Sequence, residues 1–142
     1  MGNIKFSRGQ YANAVEYHER AVTNLKAILG DKHQFTADCS YSLSRDYILN
    51  GNPAKALDAL EAAISAYTNL SYQKPQAARA IWKKGAVMRS MGNKVEGDAL
   101  LDKAMKFRKE IEPKDKRPVE ELKDKDWDDL VFYWSRWELS IE

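Results

Sequence analysis

The feature that most constrains this chain is a short pattern that occurs three times at an almost constant spacing. The copies are Gly9-Gln10-Tyr11-Ala12-Asn13-Ala14, Gly51-Asn52-Pro53-Ala54-Lys55-Ala56 and Gly92-Asn93-Lys94-Val95-Glu96-Gly97. Their glycines lie 42 and then 41 residues apart, and another alanine follows seven residues after each copy, at Ala21, Ala63 and Ala104. Such a period is typical of a chain built from repeated structural units.

The pattern itself predicts a helix, a tight turn and a second helix. Glycine favours the position just after a helix because it adopts a positive φ without steric penalty. Pro53, in the second copy, suits the first turn of the next helix, where a missing N–H has no cost. We therefore predict helices at about residues 11–29, 35–50, 54–70, 76–91 and 95–111. No segment has a convincing strand pattern.

The predicted helix at residues 54–70 has two neighbouring apolar stripes. One stripe is made of small residues, Ala56, Ala59, Ala63 and Ala66, and the other of larger ones, Leu57, Leu60, Ile64 and Tyr67. Two stripes indicate a helix that is buried on two sides, as in a stacked array of hairpins. The fold class predicted is therefore all-α.

The turn glycine and the two small positions after it resemble the tetratricopeptide repeat. The 42-residue period and the loop Leu29-Gly30-Asp31-Lys32-His33 are similar to the longer repeats of kinesin light chains and their relatives. The resemblance covers residues 4–111 and implies an α-solenoid of antiparallel helix hairpins. Two residues depart from it: Lys84 stands at a usually apolar position and Gly97 at a position where alanine is expected.

The repeats predict a division of the chain into segments. Residues 1–30 form a partial repeat, residues 31–72 and 73–111 form two further repeats, and residues 112–142 form a charged connector and a tryptophan-rich helix. That last helix would place Trp127, Leu130, Val131, Trp134, Trp137 and Ile141 on one face. The favoured interpretation is a capping helix that covers the end of the array; the alternative is a docking helix for a partner. The tail also resembles a segment that follows such repeats in some fungal proteins.

The resemblance implies a peptide-binding groove on the concave surface, formed by the first helix of each hairpin. By position from the turn glycine, the candidates are Asp38, Tyr41, Arg45 and Ile48 in the second repeat and Arg79, Trp82, Lys83, Ala86 and Arg89 in the third. Residues 73–111 carry 10 basic and 4 acidic side chains, so an acidic peptide is the expected ligand. The alternative is that the aromatic residues only pack against a neighbouring hairpin and the charges are solvated.

Other classes of function find little support. His18, His33 and Cys39 do not have the paired spacing of a zinc site, and no nucleophile or phosphate-loop motif occurs, so we expect no metal, no cofactor and no enzymatic activity. A nucleic-acid partner is disfavoured because the chain carries no RNA-module signature and its positive excess is small. No apolar run is long enough to span a membrane. With a single cysteine and no export signal, a cytoplasmic location is expected.

The two functions kept open are a peptide- or protein-binding module and a structural segment that self-associates through its exposed ends. Self-association, as a homodimer, is expected from the short first repeat, where eight residues precede Gly9. The second helix of that repeat would then leave one apolar side uncovered. The candidate residues for this contact are Ile4, Phe6, Val15 and Val22.

Overall fold

The structure, a computed structural model, describes the backbone of residues 8–131 and the side chains of residues 12–70 and 72–131. Its helices are α1 (Arg8–Leu29), α2 (Gln34–Leu49), α3 (Pro53–Thr68), α4 (Lys74–Ser90), α5 (Lys94–Ile111) and α6 (residues 124–131). Two single 3-10 turns lie at Ser71–Gln73 and Val119–Glu121. No strand occurs within residues 8–131, and the prediction of an all-α chain of helical repeats is confirmed.

The turns after α2 and α4 share one geometry. Gly51 and Gly92 have φ values of 77° and 91°. In each turn the asparagine after the glycine donates its N–H to a carbonyl near the end of the helix, Asn52 to Tyr47 at 2.8 Å and Asn93 to Met88 at 2.9 Å. These bonds satisfy carbonyls that the end of a helix leaves open, which is why glycine occurs here. Gly9 differs from the expectation, because it lies inside the first turn of α1.

Gly97 makes possible the closest approach between α4 and α5. A Cβ on Gly97 would lie 2.9 Å from the carbonyl oxygen of Gly85 and 2.5 Å from Cγ of Arg89. A Cβ on Gly85 would in turn lie 2.9 Å from the carbonyl oxygen of Gly97. Real Cβ atoms do not approach a backbone oxygen so closely. The glycine that departs from the repeat pattern is therefore a packing requirement of this hairpin.

The chain forms two compact units, Met1–Ala66 and Tyr67–Glu142, which are described separately below as the amino-terminal and carboxy-terminal units. In the amino-terminal unit, α1, α2 and α3 enclose a cluster made of Val22, Leu43, Tyr47, Ala56 and Ala59. In the carboxy-terminal unit, α4 packs against α5. Its fully or nearly fully buried apolar side chains include Ile81, Leu101, Ala104, Leu122, Trp127 and Leu130.

Candidate functional site

The face of α4 that the sequence predicts to bind a ligand is in contact with α6. The ammonium group of Lys83 pairs with the carboxylate of Asp124. Nη1 of Arg79 donates to Oδ1 of Asp128 at 3.1 Å. The later residue of α4 pairs with the earlier residue of α6, and the earlier residue of α4 with the later residue of α6. The two helices therefore run antiparallel.

An aromatic stack lies between these ion pairs. The rings of Trp82 and Trp127 have centroids 5.5 Å apart and planes 20° from parallel. The guanidinium of Arg108, on α5, lies 5.1 Å from the centroid of the Trp127 ring. Trp127 is 0% exposed. Among the described residues its indole N–H has no hydrogen-bond acceptor, so docking buries one unsatisfied donor.

Four charged residues, which we call the clasp, hold the connector that leads from α5 to α6: Arg108, Asp115, Arg117 and Asp126. Asp115 accepts from Arg108 at 2.8 Å and from Arg117 at 2.8 Å, and Nη1 of Arg117 donates to Asp126 at 3.0 Å. The hydrogen bonds from Arg117 and then Arg108 hold the pKa of Asp115 well below its usual range. The pKa of Asp126 is also lowered, first by the backbone N–H of Lys123 that its carboxylate accepts. The charged form of both carboxylates is therefore favoured, Asp115 in the connector and Asp126 in the first turn of α6.

The connector also places apolar side chains near the same face of α4. A cleft of about 260 Å³ is lined by Trp82, Ala86, Arg89, Leu101, Val119, Glu120 and Leu122. Leu122 is buried, and Arg89 is exposed and pairs with Asp98 of α5 at 3.2 Å. The third-repeat candidates Arg79, Trp82 and Lys83 are thus brought together by residues 124–128, whereas Arg89 lies outside that contact.

The second-repeat candidates belong to the amino-terminal unit and divide by burial. Asp38 and Arg45 are exposed on α2. Tyr41 is 4% exposed, and Ile48 packs against the core cluster of the unit. Two of these four side chains therefore support the position of α2, and two lie at its surface.

The polar contacts between α1 and α2 are not evident from the sequence pattern. Nδ1 of His18 contacts the carboxylate of Asp46, and the Tyr47 hydroxyl donates to Glu19 at 2.6 Å. Burial, followed by this bond to Glu19, raises the pKa of Tyr47 to about 12. Burial likewise raises the pKa of the Cys39 thiol, which argues against a reactive thiolate. Nothing in the spacing of His18 and Asp46, 28 residues apart, identifies them as partners in the sequence.

Two of the residues predicted to mediate self-association, Val15 and Val22, were expected on an uncovered side of α1 but pack in or against the core of the amino-terminal unit. Val22 is 9% exposed within the core cluster, and Val15 packs against that cluster, because α2 and α3 cover this side of α1. Ile4 and Phe6 lie outside the described residues. The large apolar side chains that the described part of α1 exposes are Tyr17, at 70%, Ile28, at 77%, and Leu29, at 39%.

Two structural features are absent from the part of the chain that the structure describes. No three His, Cys, Asp or Glu side chains are placed there to hold a metal ion. No helix there has the length and apolar character needed to cross a bilayer.

Comparison with known proteins assigns the first half of the chain. Residues 1–69 match the family model of the tetratricopeptide repeat. A search of curated proteins found no match. The matched residues include α1, α2 and α3, whose turn glycine and small residues carried the resemblance in the sequence. Residues 1–69, slightly less than half of the chain, are therefore similar to tetratricopeptide repeats.

Proposed function

We propose that this chain is a protein-interaction module that binds a peptide or partner protein through the first helix of a hairpin, with α2 of the amino-terminal unit and α4 of the carboxy-terminal unit each taken as a separate surface. Tetratricopeptide repeats generally mediate protein–protein interaction and are typically non-catalytic. The single observation that carries the proposal is the contact of Arg79, Trp82 and Lys83 with an acidic, aromatic segment of the same chain. Side chains that hold one such segment have the chemistry to hold another.

The expected partner is acidic. Arginine and lysine side chains form charge-assisted hydrogen bonds with carboxylates, and tryptophan supplies a broad apolar surface. On α2, the exposed Arg45 is the candidate cation for such a partner. Asp38 is also exposed and lies two helical turns earlier on the same side of α2. We further propose that the repeats are of the long, kinesin-light-chain-like type, which the 42-residue spacing supports, and that the protein is cytoplasmic.

A random peptide library displayed on phage tests the interaction directly. We expect the full chain to select peptides enriched in aspartate and glutamate. Arg45→Glu should lower the affinity for the selected peptides by about 2- to 5-fold, which corresponds to the free energy of an exposed ion pair. Arg20→Glu, an equal charge change on the exposed surface of α1, is the matched control. Selection of no peptides, or equal weakening by both substitutions, would contradict the proposal for α2.

The second candidate function is self-association through α1, and the observation that favours it is the exposure of Tyr17 and Ile28. These residues are eleven positions apart, which places them on one side of the helix. Exposed apolar side chains on one side of a helix can meet their copies in a symmetric contact. Light scattering at micromolar concentration should then give twice the chain mass of 16.3 kDa. Tyr17→Lys with Ile28→Lys should restore the monomer, and a wild-type monomer would eliminate this candidate.

A further inference from the structure

The contact between α4 and α6 covers the residues that a partner would need. Arg79 and Lys83 have side chains that are 14% and 13% exposed, and both pair with carboxylates of α6. Trp82 is half-buried against Trp127. A partner cannot reach this face of α4 while α6 remains in place.

The match between the two helices is one of position as well as charge. Two cations four residues apart on α4 face two carboxylates four residues apart on α6, and the tryptophan pair lies between them. Residues four apart share one side of a helix, so each helix presents its whole set to the other. A helix that only covered apolar surface would not need this register of charges.

Two features of the docked state make it less stable than a fully paired contact would be, and a third leaves α6 free to move separately from α5. The Asp124 side chain is 63% exposed, so water and salt weaken its pair with Lys83. The Trp127 indole N–H is buried and has no acceptor among the described residues. The connector before α6 contains one 3-10 turn, Val119–Glu121, and no longer helix, so α6 can move without unwinding α5.

We propose that residues 118–131 are an autoinhibitory segment that occupies the ligand-binding face of α4. The inference rests on the proposed function, because it takes that face to be a binding surface. Arg117 and Asp126 set the path of the segment, and its carboxylates and Trp127 fill the positions that an acidic partner would take. The apparent affinity of a partner is lowered in proportion to the fraction of chains whose segment is undocked.

The test uses the full chain and the segment itself as a probe in trans. The probe is a labelled synthetic peptide with the sequence of residues 118–131, and the variant is Asp124→Lys with Asp128→Lys, which leaves every residue of α4 unchanged. We expect the variant to bind the probe at least tenfold more tightly than the wild type does, because its own segment no longer competes. Fluorescence anisotropy measures the affinity.

Glu120→Lys with Glu121→Lys is the matched control. It changes the charge of the same segment by the same amount at two exposed residues, so any general attraction of the acidic probe to a more basic chain appears in both variants. Hydrogen exchange supplies the second measurement. In the Asp124/Asp128 variant, amides of residues 124–131 should exchange faster while those of α4 and α5 keep their protection.

Each outcome bears on the proposal. Tighter binding by the Asp124/Asp128 variant alone, with faster exchange confined to α6, supports it. Equal binding by the two variants, or loss of protection throughout α4 and α5, overturns it and identifies the segment as a structural cap. A further outcome is that the wild-type chain binds library peptides through α2 while the Asp124/Asp128 variant binds the probe no more tightly than the wild type does. That result contradicts autoinhibition and leaves the proposed function in place. If no form binds any peptide, both fail.

Discussion

The indole rings of Trp82 and Trp127 stack with their centroids 5.5 Å apart although the two residues are 45 positions apart in the sequence. Trp82 lies on α4, in the repeat region, and Trp127 on α6, beyond the charged connector. Because the Trp127 ring is fully buried, this contact joins the tail to the repeat hairpin as part of one core.

Trp127→Ala should destabilise the carboxy-terminal unit by about 3–5 kcal/mol, since it removes a large buried ring and leaves a cavity beside Trp82. Urea unfolding, followed by circular dichroism and by tryptophan fluorescence, measures the change. Lys125→Ala, on the exposed side of the same helix, is the control and should have almost no effect. An unchanged unfolding midpoint for Trp127→Ala would show that α6 contributes little to stability.

Ala63→Leu should destabilise the chain by about 1–3 kcal/mol through overpacking. Ala63 is 0% exposed on α3, so no space exists for a longer side chain. Ala54→Leu introduces the same side chain at an exposed position of α3 and should leave the free energy of unfolding nearly unchanged. Thermal unfolding of the two variants compares them; equal behaviour would contradict the assignment of the buried face.

Gly97→Ala should be destabilising even though alanine is the better helix former by about 1 kcal/mol. The new methyl group would meet the carbonyl oxygen of Gly85, which is backbone and can move only with α4. We expect the free energy of unfolding to fall by about 1–3 kcal/mol, as in other overpacked sites. Glu96→Ala, at the exposed neighbouring residue, controls for helix propensity. A stabilised Gly97→Ala variant would mean that α4 and α5 lie further apart.

Asp115→Asn should cost about 1–3 kcal/mol at pH 7, because it weakens charged hydrogen bonds to Arg108 and Arg117. The pKa of Asp115 is lower in the folded chain than in the unfolded chain, so its contribution is present above the unfolded pKa of about 3.9 and is lost as the pH falls.

The stability difference between wild type and Asp115→Asn should therefore narrow below about pH 4. Urea unfolding at pH 7 and at two lower pH values measures this. Asp129→Asn removes an exposed carboxylate of α6 that lines the same cavity as Arg108, Asp115 and Arg117, and it should cost much less at pH 7. A wild-type advantage that stays constant down to pH 2 would contradict the role given to the clasp.

Within residues 8–131, local sequence was sufficient for most helices and for the turns after α2 and α4, but not at Gly9, which lies inside α1. The spacing of Ala56, Ala59 and Ala63 determines a helix with a closely packed side, and the glycines at 51 and 92 determine where helices end, because only short-range geometry is involved. The repeat period also indicated the likeness to the tetratricopeptide repeat that the family model finds for residues 1–69. Even the charge contrast is visible, since the basic residues 73–111 are followed by residues 112–142 with 6 basic and 10 acidic side chains.

Tertiary structure alone decided what those charges contact. Nothing local distinguishes an Arg79 that faces solvent from one that pairs with Asp128, 49 residues later. The same is true of Val22, whose apolar character predicts burial but not the α2 and α3 side chains that bury it. Side-chain pairing between distant segments depends on the path of the connector, here set by Arg117 between Asp115 and Asp126. Such a path is a property of the folded chain, because its energy comes from contacts that exist only after α4, α5 and α6 have come together.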